Sequence, residues 1–352
     1  MRRTRWTNWC NCCTTKQKLF NATNCNNMPV LVLTEHTEGT IKKKSLEAVQ
    51  YAAAIARQTG TTVTAVATGS VSEQALQALG NYGAQKVLHV PDQRLNQLHD
   101  RAFTRLLITA ARQEDSRVIV LVSDANGKAI APRLAVALDA ALITGALSVP
   151  DTTKDFEVKK AVFSGKAFAF VQAKAEIQVI TLTPNSFRLQ PETGTATVAE
   201  LKVDFTDRDF AVQVQQVQRL EGAIPLTDAE RVVSGGRGMK GPENWGLIED
   251  LAKELDAATA CSRPVADSHW RPHHEHVGQT GTAIRPNLYI AAGISGAIQH
   301  LAGVNGSRTI VVINKDPEAP FFKAATYGVV GDVLEVLPRL TEAVRKFKAS
   351  TH

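Results

Sequence analysis

Apolar and polar positions along this chain fall into two successive blocks of alternating strand and helix signals. Residues 30–34, 62–67, 86–90 and 117–122 are short apolar or β-branched runs of the kind that fills a buried parallel strand. Between them the spacing is helical: Leu46, Val49, Ala53 and Ala56 recur on one face, and a further helix crosses residues 103–111. This alternation predicts a parallel α/β sheet from Met28 to about Val149. The pattern turns β-rich over residues 156–183, with Gly165 as a hairpin turn. A polar tract, residues 184–194, then leads to further strands up to Gln218. Gly222 and Pro225 mark residues 221–227 as a linker. Beyond it the alternation resumes, with strands at 231–234, 289–292 and 309–313. Leu247, Ile248, Leu251 and Leu255 share a helix face, and Asp332 opens a last helix carrying Val333, Val336, Leu337 and Leu340. The expected architecture is α/β, with two domains at residues 28–220 and 228–352, each built on a mainly parallel sheet with flanking helices.

The chemistry concentrates in the turns of the second block. Gly235, Gly236, Arg237 and Gly238 follow one strand, and the arginine can fork onto a phosphate. Cys261, Ser262 and Arg263 make a second turn; Val277, Gly278, Gln279, Thr280 and Gly281 make a third. After the strand at 289–292, Gly293 breaks the run and Ser295 is placed to cap a short helix. Gly296 there admits a ligand to the backbone, and Gly303 closes the helix. Such a helix start favours an anion such as a diphosphate. Together these turns predict one extended nucleotide site. A plainer reading stands beside each residue: caps for Ser and Asn, a surface ion pair for Arg263, a core position for His300, and simple packing for Cys261.

The segments GGRG, SRP, VGQTG, GISGAIQH, VVINKDPEAP and YGVVGD, in this order and spacing, resemble the α subunit of electron-transfer flavoprotein. The resemblance runs from about Met28 to the last helix and is strongest over residues 235–332. Val312 and His269 depart from it, where alanine and glycine are usual. The resemblance implies an electron carrier rather than an enzyme, with no catalytic residue and a dinucleotide-binding second domain that holds FAD. By the same analogy Arg237 and Ser262 lie at the phosphates or the ribityl chain, and Ser295, Gly296, Ala297, Ile298 and Gln299 supply donors from the helix start. Arg263 lies against the isoalloxazine ring, and Gln279 and Thr280, in the turn with Val277 and Gly278, flank its reactive edge. His300 faces the N1/O2 edge, while Asn314, Asp332 and Val333 lie toward the adenosine. The implied partners are a β subunit in a heterodimer, acyl-CoA dehydrogenases or other flavin dehydrogenases as donors in fatty acid β-oxidation, and ETF-quinone oxidoreductase as acceptor. The first domain then serves as scaffold and subunit interface. A cation about 4 Å from the reduced ring contributes at most roughly 4 kcal/mol at an effective dielectric near 20, so Arg263 and His300 are expected to favour the negatively charged, singly reduced flavin.

Composition adds limits. The net charge is +6, but residues 1–27 hold five basic and no acidic residues, which leaves +1 for the remainder and little basis for nucleic-acid binding. No apolar run reaches the roughly 18 residues a membrane helix needs. Residues 1–27 carry four of the five cysteines and no amphipathic period, and they read as an extension upstream of a true start at Met28. A mitochondrial presequence is the rival reading, so the expected location is cytoplasmic, or the matrix if the extension is a presequence. His269, His273, His274 and His276 cluster on one loop, but no cysteine or carboxylate pair completes a shell, and no metal is expected. The alternative function is an NAD-dependent enzyme on a related fold. It lacks a glycine-rich fingerprint after the first strand. Gly127, Lys128, Pro132 and Arg133 precede an apolar helix and read as its solvated start.

Overall fold

The computed structural model describes residues 28–212, 214–216 and 224–351. The expected extension, residues 1–27, and residues 221–223 of the expected linker lie outside them.

The chain enters through β1 (Val30–Leu33), buried at all four positions, and turns through a two-residue hairpin of β2 (His36–Thr37) and β3 (Thr40–Ile41). Strand and helix then alternate through α1 (Lys43–Thr59), β4 (Val63–Thr68), α2 (Glu73–Gln77), β5 (Lys86–Val90), α3 (Asp100–Gln113), β6 (Val118–Val122), α4 (Ala125–Ala137) and β7 (Ala141–Ala146). A hairpin of β8 (Glu157–Val162) and β9 (Ala167–Gln172) turns at Gly165, as its sequence position predicts, and β10 (Gln178–Leu182) and β11 (Thr197–Glu200) follow. These strands form one sheet in the order β11-β5-β4-β1-β6-β10-β7-β8-β9. It is parallel from β11 to β7 and antiparallel where the hairpin extends it. Continuous burial of β1, β4, β6 and β10 follows from helices on both faces. Tyr51, Ala52 and Ile55 of α1 pack on one side, and Leu106, Leu107 and Ala110 of α3 with Leu134 of α4 on the other.

Two sequence expectations need correction here. Strands are expected up to Gln218, but β11 is the last strand before residue 231 among the described residues; residues 201–206 form no strand beyond the bond from Leu201 N to His89 O at 2.9 Å, and residues 213, 217 and 218 lie outside the described residues. Gly127, Lys128, Pro132 and Arg133 lie inside α4 rather than ahead of it, because Asp124 Oδ1 accepts from Gly127 N at 2.9 Å and caps the helix there. Pro132 is tolerated in that helix interior, where it removes one N–H donor.

The second sheet comprises β12 (Arg231–Gly235), β13 (Ala258–Cys261), β14 (Leu288–Ala292), β15 (Thr309–Asn314) and β16 (Tyr327–Val330). Its order is β13-β12-β14-β15-β16, every pair parallel. The crossover helices are α5 (Gly246–Glu254), α6 (Arg263–Asp267) and α7 (Ile298–Val304), and α8 (Val333–Thr351) closes the chain. Alternate strand residues feed two cores. Val233, Ile290 and Ala292 meet Trp245, Ile248, Leu251 and Leu337 on one face; Tyr289, Ala291 and Val312 meet Val304 and Phe321 on the other. Val312 is fully buried there, so its departure from alanine is absorbed in packing. No described helix is long and apolar enough to cross a membrane.

Residues just before β12 touch α1. Lys43 pairs with Glu230, and Lys44 Nζ lies 2.6 Å from Asp124 and 3.8 Å from Asp228. Beside this contact a cleft of about 790 Å³ is lined by Glu47, Asn185, Arg285 and Arg308 among others.

Candidate functional site

Because all five strands of the second sheet are parallel, their C-terminal loops emerge on one edge. The chain runs from β12 outward to β13, then returns past β12 to β14. Such a reversal opens a crevice at the strand ends, where nucleotides bind in sheets of this order. Apart from Val277, Gly278, Gln279 and Thr280, every predicted site residue falls at these strand ends or in the first turn of the helix that follows. Arg237 follows β12; Ser262 and Arg263 follow β13; Ser295, Gly296, Ala297, Ile298, Gln299 and His300 follow β14; Asn314 ends β15; Asp332 and Val333 follow β16.

Backbone contacts hold the loops together. Gly236 N donates to Ala292 O at 2.9 Å, Gly238 N to Gly293 O at 3.0 Å, and Ser262 N to Gly235 O at 3.1 Å. Asn314 Nδ2 donates to Ile294 O at 3.0 Å, and Lys240 Nζ reaches Asp332 Oδ2 at 3.0 Å. Asp332 Oδ1 also accepts from Leu334 N at 3.0 Å, which caps α8 as the sequence predicts. The turn carrying Val277, Gly278, Gln279 and Thr280 belongs to no strand, yet it joins the same edge. Val277 N donates to Cys261 O at 3.1 Å and Gln279 N to Gln299 O at 2.7 Å.

The structure revises three readings of the β14 turn. Ser295 does not cap α7: the cap position is Ala297, with no side-chain bond, and Ser295 is left exposed. Gly296 has φ +84°, and a Cβ on it would lie 2.5 Å from Phe321 Cβ, so the need for glycine comes from the protein's own backbone rather than from a ligand. Gly303 lies within α7, whose C-cap is Asn305, and a Cβ on it would lie 2.5 Å from Gly278 Cα. That close approach seats the Gln279 turn against α7.

His300 is the largest correction. It is 7 % exposed, its Nε2 lies 2.8 Å from the Tyr289 hydroxyl, and its ring packs edge-on to Phe321 at 5.7 Å. Burial, with His276 as a lesser influence, pushes its pKa down to about 4. The imidazole is therefore neutral near pH 7 and not the fixed cation expected from the sequence. Arg263 keeps its charge outward, 63 % exposed, with Nε 3.3 Å from Asp267. Arg237 is exposed and has no ion-pair partner among the described residues. Cys261 is buried and its thiol is pushed up to about 12 chiefly by that burial, so it is a packing residue. His269 adopts φ +57°, the left-handed region a glycine favours, so the glycine that the family resemblance leads one to expect would fit there. His269 and His273 meet edge to face at 6.3 Å, and no group of three metal-ligating side chains assembles among the described residues.

Tyr289 escaped the sequence reading because it sits in an apolar strand run. Its polar tip was the available signal: a buried tyrosine hydroxyl needs a partner, and His300 supplies it.

An FAD fits this edge. Arg237 and Arg263 present guanidinium groups, the opening residues of α7 have N–H groups with no acceptor inside the helix, and Ile298 lies 60 % exposed beside them as an apolar surface to be covered. The nicotinamide alternative loses its place in the fold, since β1 runs into the β2–β3 hairpin and not into a glycine-rich helix start.

Comparison with known proteins agrees. The electron transfer flavoprotein domain matches residues 30–206, and the electron transfer flavoprotein FAD-binding domain matches residues 225–305. Electron transfer flavoprotein subunit alpha of Bacillus subtilis is 34% identical over 319 residues, 90% of this chain and 97% of that protein. The subunit of Paracoccus denitrificans is 36% identical over 314 residues, covering 89% and 99%, and the probable mitochondrial subunit of Caenorhabditis elegans is 34% identical over 332 residues, covering 93% and 96%. Matched along both sheets and across the loops that converge on the crevice, this chain belongs to the electron-transfer flavoprotein α-subunit family, whose members are FAD-bearing electron carriers.

Proposed function

We propose that this chain pairs with an electron-transfer flavoprotein β subunit and takes electrons from acyl-CoA dehydrogenases or related flavin dehydrogenases, delivering them to ETF-quinone oxidoreductase in fatty acid β-oxidation. The observation that carries this reading is the convergence of Arg237, Ser262, Arg263, Gln279, Thr280 and the β14–α7 turn on one exposed edge. An exposed edge rather than a closed pocket calls for a second surface to exclude water, which is the role assigned to the β subunit. Residues 28–220 act as scaffold and subunit interface, residues 221–227 as linker and residues 228–352 as the FAD-binding domain. The location is cytoplasmic, or the mitochondrial matrix if residues 1–27 act as a presequence.

When bound, FAD supplies the electron chemistry. Arg237, Ser262 and the turn at Ser295, Gly296, Ala297, Ile298 and Gln299 hold its phosphates and ribityl chain. Asn314, Asp332 and Val333 line the adenosine end, and Gln279 and Thr280, backed by Val277 and Gly278, orient the reactive edge. Arg263 provides the only positive charge assigned to the ring.

The test is purification with the β subunit followed by absorption and redox titration. Flavin bands in a 1:1 complex are expected. Arg263→Ala is expected to keep FAD but lower its potential. For so exposed a cation the screened interaction is about 1 kcal/mol, on the order of 40 mV for one electron. Arg263→Lys recovers part of the shift, because it keeps charge but not the planar stacking surface. Arg237→Ala is the contrast, losing flavin more than potential. A colourless complex, or an Arg263→Ala variant with unchanged potential, refutes the assignment.

A further inference from the structure

We infer that Tyr289 is a positioning residue that clamps His300 in the neutral Nδ1–H tautomer, so that the imidazole serves this site as an oriented hydrogen-bond donor and not as a charge. The inference rests on the reading of the site as the flavin edge. The geometry is a buried pair eleven residues apart: Tyr289 at the second position of β14, fully buried, and His300 in the first turn of α7, with hydroxyl and Nε2 at 2.8 Å.

The direction of that bond follows from counting unsatisfied groups. His300 Nδ1 is buried and makes no hydrogen bond of good geometry among the described residues, although a backbone hydrogen bond with Val277 acts on the imidazole. If Nε2 carried the proton and donated to the tyrosine oxygen, the phenolic O–H could turn to the buried Ser234 Oγ, but the Ser234 proton would have no acceptor and the bare Nδ1 lone pair would face the Val277 backbone carbonyl. If the tyrosine donates to Nε2, the Ser234 hydroxyl can donate to the phenolic oxygen and Nδ1–H is left to the Val277 backbone carbonyl in the predicted flavin turn, so every group has a partner within reach. A buried polar group left unsatisfied forfeits its full desolvation without return, so the second arrangement is preferred. Burial also pushes the Tyr289 phenol up, which keeps it a donor at all working pH values. The surroundings reinforce neutrality. Phe321 packs against both rings; the titratable groups acting on the pair are His276 on His300 and Cys261 on Tyr289, and neither supplies a negative charge near pH 7.

Imidazole ¹⁵N NMR of the flavin-loaded αβ complex, with Tyr289→Phe and Phe321→Leu variants, decides the matter. In the wild type the lone-pair resonance is expected at Nε2, with no protonation of His300 between pH 8 and pH 5.5. In Tyr289→Phe the clamp is gone and the proton is expected to shift toward Nε2, the form an unassisted imidazole favours. Phe321→Leu disturbs the same packing without touching the hydroxyl and is expected to leave the tautomer as it was. A wild-type His300 protonated at Nε2 or charged at pH 7, an unchanged tautomer in Tyr289→Phe, or a switched one in Phe321→Leu overturns the inference. Flavin content of the same samples reports separately on the site: a complex without FAD refutes the flavin edge, while the resonances still decide the clamp.

Discussion

Gly303→Ala is expected to destabilise the protein by about 3 kcal/mol and to release FAD, although Gly303 is not itself a predicted flavin contact. A methyl on Gly303 would meet Gly278 Cα at 2.5 Å and its C and N at 2.7 Å. All three are backbone atoms, so no side chain can rotate away. The α7 helix and the turn after Val277 must separate, and two bonds are put at risk: Gln279 N to Gln299 O at 2.7 Å and Ile284 N to Gly303 O at 2.9 Å. Gln279 and Thr280 leave their positions with the turn. The control is Gly246→Ala, where nothing lies within 4 Å at the first residue of α5 and alanine is expected to stabilise by about 0.5–1 kcal/mol. Denaturation midpoints and flavin-to-protein ratios check both variants. A Gly303→Ala complex with wild-type stability and full FAD would show that the contact yields freely.

Glu47→Gln is expected to remove a pH dependence that the wild type carries on α1. Glu47 is 3 % exposed on α1, and burial pushes its pKa up to about 7, against the opposing pull of the Asn185 amide, whose N donates to Oε2 at 2.8 Å, and of Lys43. Asp228 and Glu230 add repulsion from the segment before β12. A carboxyl whose folded pKa lies above its unfolded value contributes fully below about pH 4.5, and that contribution is lost as pH rises through 7. The loss amounts to at most about 3 kcal/mol by pH 8. Glutamine still accepts from Asn185 N but has no charge to bury, so the variant is expected to be nearly flat from pH 5 to 8 and more stable than wild type at pH 8. Chemical denaturation of the αβ complex at both ends of that range checks the sign. A variant that loses as much stability between pH 5 and 8 as the wild type would show that Glu47 is not the group responsible.

Much of this protein was legible from residue order, for reasons that are local. Buried parallel strands need unbroken apolar runs, and β1, β4, β6 and β10 have them; the helix between β1 and β4 shows its face in Leu46, Val49, Ala53 and Ala56. Turns at strand ends need glycine or hydrogen-bonding side chains, so GGRG, SRP and GISGAIQH mark the crevice in the sequence itself. Asp332 caps the last helix because a carboxylate before an apolar helix has a local partner in the backbone.

What residue order left open depends on groups brought together from far along the chain. The glycines at 296 and 303 looked like devices for a ligand and a helix end; Phe321 and Gly278, distant in sequence, set their true constraints. The charge of His300 is not legible in the sequence for the same reason, since a pKa is set by desolvation and by neighbours, and neither Tyr289 nor Phe321 is adjacent in sequence. The sequence by itself determined the two α/β sheets, the glycine-rich loops at the strand ends of the second sheet and the family, because these are written in periodicity and motif. Only the tertiary structure decided that Glu47 is buried under opposing charges, that His300 is neutral and that Tyr289 holds it, because burial and pairing between distant segments exist only once the sheets have packed.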